Sequence, residues 1–411
     1  MTFAEPLCTV GVSHKTAPLA VRERFAFAPP TVRELLSAPG GDRLLLVTCN
    51  RTELYGLEPV EQLAERLRLA SGAHDRDPAL FALEGADAAR HLFSVAAGLD
   101  SMVVGEPQIL GQVKHAIRAA REVNALGSIL DELARRALTV GRRVRRETDL
   151  GKGMPSIPKI AVGVARLVLG DLGGRSLLVL GAGKLGGLTA HNLRRAGATT
   201  VVVSNRTIES ATQLASQIGG RAEPFDALDR LMAEADIVIS CTASREPVLT
   251  RGRVASTLPA RGDRPLVIVD IAVPRDAEPD VRTLPGVTLY DLDDLRGWGS
   301  AAVPPDAIAA AQAIVEVETR AFVAWRAGRA AVPTIRALQE RANTILEAEL
   351  GRVPADHAEA MRAFGRRLVA KLLHHPMSRL RDGAAAEGDA YLTMARDLFA
   401  LESENGARDR E

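Results

Sequence analysis

Lysine, cysteine and aromatic residues are scarce in this sequence of 411 residues, and neither sign of charge dominates. Six of the 52 basic residues are lysine, which leaves few candidates for Schiff-base chemistry. Phe, Trp and Tyr make up 3% of the chain, against base-stacking platforms of the RRM or cold-shock kind. Lys and Arg (52) nearly cancel Asp and Glu (51), so the chain is no polycation, and any RNA contact has to come from a local patch. The three cysteines, Cys8, Cys49 and Cys241, stand far apart with no CxxC pair. Neither a thiolate zinc site nor a disulfide framework can be read from them, and no metal ligand set is apparent. No basic segment followed by an apolar one opens the chain, and the apolar runs are strand-length, far below the roughly 18 residues of a membrane span. The expectation is a soluble, cytoplasmic, thiol-reduced protein.

What is present is ordinary globular composition, 46% hydrophobic and 25% charged, with length for two or three domains at about 150 residues each. Residues 1–155 mix short apolar runs (Leu7–Val12, Leu44–Val47) with helical periodicity and read as an α/β module. Residues 156–295 alternate apolar runs with helices: Ser176–Leu180, Thr200–Val203, Ile237–Ser240 and Leu266–Ile271. Near-continuous apolar strands between helices indicate a parallel sheet covered on both faces. Residues 296–411 give no strand signal. Ile308, Val315, Phe322 and Trp325 recur there at helical spacing, Pro333 is placed to kink or restart the helix, and further helices begin near 356 and 388. So long an amphipathic helix with little core of its own suits a dimer contact, or else a small self-contained bundle. Gly151–Pro158 reads as a hinge, Gly297–Pro304 as a linker, and the polar end after Glu402 as frayed.

The strand Ser176–Leu180 runs straight into Gly181-Ala182-Gly183-Lys184-Leu185-Gly186 and then a helical segment. This is GxGxxG in its strand–turn–helix context, where the glycines permit the tight turn and the approach of backbone to a pyrophosphate. The second strand ends in Ser204-Asn205-Arg206-Thr207, with no acid to bind a ribose 2′-hydroxyl. Arg206, helped by Ser204, Asn205 and Thr207, suits a 2′-phosphate, so NADPH is expected over NADH. Asn205 or Thr207 can also cap the following helix. Cys241, at the end of the Ile237–Ser240 strand, is expected to pack rather than react.

A second strand end carries the nucleophile candidate. Leu44–Val47 stops at Thr48-Cys49-Asn50-Arg51-Thr52-Glu53, and a cation such as Arg51 beside a cysteine lowers the thiol's pKa. A thiolate there can attack a carbonyl and hold an acyl group; the same window also fits a buried structural cysteine. Further on, Pro107 suits a helix start, with Glu106 at that start and Gln108 and Gln112 one turn apart on one face. Together with Ser101 they could hold a small substrate bearing an amine and a carboxylate. His91 is either a general acid/base or a structural residue. Six arginines fall within twelve residues (Arg135, Arg136, Arg142, Arg143, Arg145, Arg146) with no acid among them, giving either a solvated helix face or a phosphate-binding stripe.

Taken in order, these segments resemble the glutamyl-tRNA reductase family over nearly the whole chain. The resemblance rests on Gly11-Val12-Ser13-His14-Lys15-Thr16-Ala17-Pro18, the Thr48–Glu53 block, the Gly98–Gln112 block, the glycine loop with Ser204–Thr207, and Lys371-Leu372-Leu373-His374-His375-Pro376. It implies an α/β multidomain protein: a catalytic α/β domain (1–155), a doubly wound Rossmann domain for NADPH (156–295) and an all-α dimerisation domain on a long spinal helix (296–411). It implies NADPH-dependent reduction of glutamyl-tRNA(Glu) to glutamate-1-semialdehyde through a Cys49 thioester, the first step of tetrapyrrole (porphyrin) synthesis. On this resemblance Thr48, Asn50, Arg51, Ser101, Glu106, Pro107, Gln108 and Gln112 recognise the glutamyl group, with Arg51 forking its carboxylate and His91 serving catalysis. Gly181, Ala182, Gly183, Lys184, Leu185, Gly186, Ser204, Asn205, Arg206 and Thr207 would hold the cofactor. Lys184 stands where many relatives carry Glu. A V-shaped homodimer, hand-over of product to glutamate-1-semialdehyde aminomutase and a tRNA-facing arginine stripe are further implications. The rival readings are another NADP-dependent dehydrogenase of the shikimate-dehydrogenase kind and a non-catalytic tRNA-binding scaffold.

Overall fold

The computed structural model describes residues 6–72, 80–151, 156–295, 303–354, 357–387 and 389–401. Most of the expected hinge and linker, and the tail from Glu402, lie outside the described residues. The chain forms two compact units, 5–315 and 316–411.

The first unit opens with a four-stranded antiparallel sheet. Its strands are β1 (Cys8–Ser13), β2 (Arg43–Val47), β3 (Arg51–Gly56) and β4 (Phe81–Glu84), in the spatial order β2-β3-β1-β4. Helices α1 (Leu19–Arg22) and α2 (Pro29–Ser37) lie between β1 and β2, and α3 (Val60–Ser71) between β3 and β4, a split βαββαβ arrangement. β1 and β3 are buried along their whole length; β1 reads as an apolar run, whereas β3 buries Arg51 and Glu53 and gives no such signal. Helices α4 (Gly85–Ala97), α5 (Gln108–Glu122) and α6 (Ser128–Glu147) follow.

The same unit continues through α7 (Ile157–Leu169) into a six-stranded, wholly parallel sheet. In chain order it comprises β5 (Ser176–Leu180), α8 (Lys184–Arg195), β6 (Thr200–Asn205), α9 (Ile208–Ile218), β7 (Arg221–Pro224), α10 (Leu228–Glu234), β8 (Ile237–Ser240), α11 (Arg251–Arg261), β9 (Leu266–Asp270), β10 (Val287–Tyr290) and α12 (Leu292–Leu295). The spatial order is β10-β9-β8-β5-β6-β7, so the winding reverses between β5 and β8 and leaves a crevice at their carboxyl ends. The four apolar runs read from the sequence are β5, β6, β8 and β9. The edge strands β7 and β10, only partly buried, lacked the continuous apolar signal.

The two sheets share one unit because their cores meet. Met102 and Val103 are buried in the same cluster as Ile157, Ile160 and the inner face of the parallel sheet, and Cys49 packs against that cluster. Length and texture suggested separate modules; the common apolar layer joins the first two.

Beyond it, α13 (Pro305–Leu350), α14 (Ala358–Glu387) and α15 (Asp389–Leu398) supply the helices. Pro333 does not restart the helix as a second element: α13 runs unbroken through it. A proline inside a helix costs one hydrogen bond, and here Ala331, Ile335 and Leu338 on either side are fixed by packing with Leu380 and Leu392. No helix among the described residues is long and apolar enough to cross a membrane.

Candidate active site at a hairpin tip

β2 and β3 are joined by Thr48, Cys49 and Asn50, which puts Cys49 at the tip of a buried hairpin. Thr48 shapes the turn: its N–H donates to the Arg51 carbonyl (2.8 Å), and its hydroxyl oxygen accepts from the N–H groups of Asn50 and Arg51 (3.1 Å each). From the opposite side Arg22 donates to the Cys49 carbonyl oxygen at 2.9 Å and to Asn50 Oδ1 at 3.4 Å. Backbone groups hold the tip, and the half-buried Cys49 side chain faces a cavity.

Behind the tip runs a buried chain of charges. Arg51, Glu53 and Tyr55 alternate along β3 and share a face. Glu53 accepts from Arg51 Nη1 (2.7 Å), from the Tyr55 hydroxyl (2.7 Å) and from His91 Nε2 (2.9 Å). Arg51 continues to Asp100 Oδ2 (2.9 Å) and to the Asp100 carbonyl, and Lys15 pairs with the other Asp100 oxygen. Gly11 of β1 stands opposite Glu53, where a Cβ would lie 2.9 Å from Glu53 Cα, so only glycine lets the strands close here. Burial pushes the Glu53 carboxyl up, yet His91 and Arg51 overcome it and hold the group well below the ordinary carboxylate range. Burial also opposes the Arg51 charge, but Glu53 and Asp100 keep its pKa above the usual arginine value.

In front of the tip lies a cavity of about 1020 Å³. Cys49, Glu106, Gln108 and Gln112 line one side, α2 and the outer turns of α5 another, and Lys184 and Leu185 of the glycine loop a third. Gln108 and Gln112 share a face as their spacing requires, and Pro107 is the cap residue before α5 rather than its first position. Burial raises the Glu106 carboxyl and the neighbouring Ser101 counters it; Arg145 fixes the Glu106 backbone by donating to its carbonyl at 3.2 Å. Glu106 makes no ion pair among the described residues, so it is a buried acid facing a cavity without a bound cation.

Four sequence expectations meet the structure here. Cys49 is not a resting thiolate: burial first, then the Glu106 charge, push its thiol up to about 12, outweighing the small opposing pull of Arg22 and Arg51. The Arg51 fork is already taken by Glu53 and Asp100 and does not line the cavity. His91, Ser101, Thr48 and Asn50 likewise do not line the cavity. The arginine run on α6 is in part ion-paired, as its reading as a solvated helix face requires: Glu132 pairs with Arg135 and Arg136, and Glu147 with Arg143 and Arg146. Arg145 points inward, donating to the carbonyls of Ala96, Gly141 and Glu106.

A second cleft, of about 700 Å³, lies at the crevice between β5 and β8. Gly181, Ala182, Gly183, Asn205 and Thr242 line it, and Lys184 lines both this cleft and the Cys49 cavity. Gly181 has φ +93°, and a Cβ there would meet the Cys241 carbonyl oxygen at 2.7 Å. Gly186 leaves the space that the Cys241 side chain fills, as expected of a packing cysteine. The buried Ser204 hydroxyl has no partner among the described residues, and Arg206 and Thr207 are exposed beside it. Thr207 occupies the cap position of α9 without a side-chain capping bond. Ser204, Arg206 and Thr207 do not line the cleft, but its glycine cradle and helix N-terminus fit a pyridine dinucleotide. Asp276, buried below this rim, accepts from Ser240 Oγ (2.7 Å) and the Thr242 N–H (2.8 Å) and fixes the lining strand end.

Family models match the chain in three consecutive stretches. Residues 10–148 match "Glutamyl-tRNAGlu reductase, N-terminal domain", 163–298 match "Shikimate / quinate 5-dehydrogenase", and 310–401 match "Glutamyl-tRNAGlu reductase, dimerisation domain". The glutamyl-tRNA reductase of Desulforudis audaxviator is 40% identical over 97% of this chain and 95% of its own length. That of Moorella thermoacetica is 41% identical over 95% and 94%. The chain belongs to the glutamyl-tRNA reductase family. A solved glutamyl-tRNA reductase from Methanopyrus kandleri aligns over 96% of this chain and 99% of its own, at 32% identity and a TM-score of 0.47.

Within this glutamyl-tRNA reductase family member, sequence reasoning missed Glu53, Asp100, Lys15, Arg22 and Asp276 as parts of the site. Arg51 and Glu53, charged and two apart on an otherwise buried strand, carried a readable signal of a buried pair. Arg22 and Asp276 carried none, since their partners lie far away in sequence.

Proposed function

We propose that this chain reduces glutamyl-tRNA to glutamate-1-semialdehyde, with release of tRNA, and so opens a tetrapyrrole pathway. One observation carries the reading: a single cavity brings the Cys49 thiol, the polar face of Glu106, Gln108 and Gln112, and the glycine loop to the same space. The Cys49 sulfur bonds to the ester carbonyl carbon, the carbon–oxygen bond breaks, and the tRNA ribose oxygen leaves carrying the thiol proton. A reduced nicotinamide dinucleotide, when bound, supplies the hydride that takes the acyl carbon to aldehyde level. The carbon–sulfur bond then breaks, and the sulfur takes back a proton. Glu106 meets the substrate ammonium, which supplies the cation this buried acid lacks, and that charge also removes its opposition to a Cys49 thiolate. Gln108 and Gln112 are the donors available to the side-chain carboxylate, while Thr48, Asn50, Arg51, Ser101 and Pro107 shape the wall. His91 acts through Glu53 as a positioning residue: with Glu53 ionised, Nε2 carries the proton it donates.

NADPH is the form this reading assigns, with the glycine loop on the pyrophosphate and Ser204, Asn205, Arg206 and Thr207 around a 2′-phosphate. Arg206→Ala should weaken NADPH at least tenfold more than NADH, measured by fluorescence titration. Domains of 1–155, 156–295 and 296–411 serve catalysis, cofactor binding and dimerisation. An exposed apolar stripe on α14 (Met361, Phe364, Leu368, Leu372) supports a homodimer, and hand-over of the aldehyde to its aminomutase belongs to the same reading. Incubation with radiolabelled glutamyl-tRNA without NADPH tests the central claim. A glutamyl adduct should appear on the Cys49 peptide and be absent from Cys49→Ser; label elsewhere or none at all refutes it.

A further inference from the structure

Between the hairpin tip and the parallel-sheet half lies the segment Leu19–Phe25, made of α1 and a 3₁₀ turn (Glu23–Phe25). It is tied in both directions. Toward the tip, Arg22 donates to the Cys49 carbonyl, and the Phe25 carbonyl accepts from Thr52 Oγ1 at 2.8 Å. Toward the other half, Arg22 Nη2 pairs with one oxygen of Asp293 on α12, and the Leu19 N–H donates to the second at 2.9 Å. Glu23 takes both sides of the Arg275 guanidinium, from Nε and Nη2 at 2.8 Å each, and the Arg275 backbone N–H at 2.7 Å. The guanidinium of Arg22 is buried, and Glu23 and Arg275 are both mostly covered.

We propose that Arg22, Glu23, Arg275 and Asp293 form a latch that holds the dinucleotide-binding half against the Cys49 hairpin and makes reduction of the enzyme-bound acyl group, but not its formation, depend on docking. This rests on the function proposed above. The geometry favours it over plain interface glue for one reason: a single guanidinium spans the interface and the nucleophile's own backbone. Arg22 thereby fixes where the docked half sits relative to the residue that holds the acyl group. Acylation needs only the hairpin side of the cavity, whereas reduction needs Lys184 and Leu185 brought to it. Glu23 and Arg275 touch neither cavity, so they can be altered without touching either ligand. Exchanging the two charges restores the side-chain pair but not the bond from the backbone N–H of residue 275, because arginine at position 23 offers no acceptor, so recovery in the exchange is partial.

The test uses the full chain with Glu23→Arg, Arg275→Glu and the double exchange. Each single reversal should leave Cys49 acylation by glutamyl-tRNA, without NADPH, within about twofold of the unsubstituted rate. Each should slow NADPH-dependent release of aldehyde from preformed acyl-enzyme by tenfold or more, and the double exchange should recover part of it. A readout independent of activity accompanies this: iodoacetamide labelling of Cys49, followed by peptide mass, should rise several-fold in each single variant and return in part in the exchange. Unchanged reduction and labelling in both single variants overturns the latch. So does a parallel fall of acylation and reduction, or an exchange that recovers neither readout. If the unsubstituted chain does not acylate at Cys49, the proposed function fails, and the labelling arm still decides whether the latch exists.

Discussion

Glu53 is the residue on which the catalytic half turns, because a fully buried carboxylate binds Arg51, His91 and Tyr55 at once. Removing one partner of such a set leaves charge behind in a low-dielectric interior. Glu53→Ala should lower the unfolding free energy by about 3–5 kcal/mol, measured by denaturant titration. The sign of the pH dependence follows from its depressed pKa. The stability contributed by the Glu53 charge is full above the unfolded value near 4.5 and is lost as pH falls. Glu53→Gln should therefore show a shallower loss of stability below pH 4.5 than the unsubstituted chain. Cys49 makes the opposite statement. With its thiol near 12, alkylation of the free chain should climb with pH without levelling off up to pH 10. A plateau near neutrality would mean a resting thiolate and would contradict the charge balance at the tip.

At the scale of elements, two turns place the chemistry: the β2–β3 hairpin carries the sulfur, and the β5–α8 loop carries the dinucleotide cradle. Both were legible as strand ends, since apolar runs stop at polar residues that cannot continue a buried strand. Part of their lining was legible too, Glu106, Gln108 and Gln112 at the first and Gly181, Ala182, Gly183 and Asn205 at the second, whereas the side that α2 supplies was not. Gly181→Ala should reduce dinucleotide affinity at least tenfold, checked by calorimetry, because the positive φ is strained for alanine and the added methyl meets the Cys241 carbonyl. The α6 arginines show the limit of reading charge along a sequence. A run without acids inside it is paired by acids one turn outside it, because neighbours on a helix are three and four residues apart.

For the whole molecule, an apolar stripe along α14 is left uncovered by a single copy. Sedimentation equilibrium should return about twice the 43.8 kDa of one chain. Phe364→Asp combined with Leu368→Asp, both exposed on that stripe, should shift the mass toward one chain at micromolar concentration. The three family matches follow one another along the chain, yet the first two stretches fold as one compact unit, with the Cys49 cavity between them.

Periodicity, glycine placement and the ends of apolar runs determined the parallel sheet, the dinucleotide turn and the position of Cys49 at a strand end, because each depends on residues close together in the chain. Which polar groups face the cavity, which cations are already spent on buried acids, and whether the thiol is charged at rest were decided only by tertiary structure. Those properties depend on distance and burial between residues as far apart as Arg22 and Asp293, and no local pattern records either.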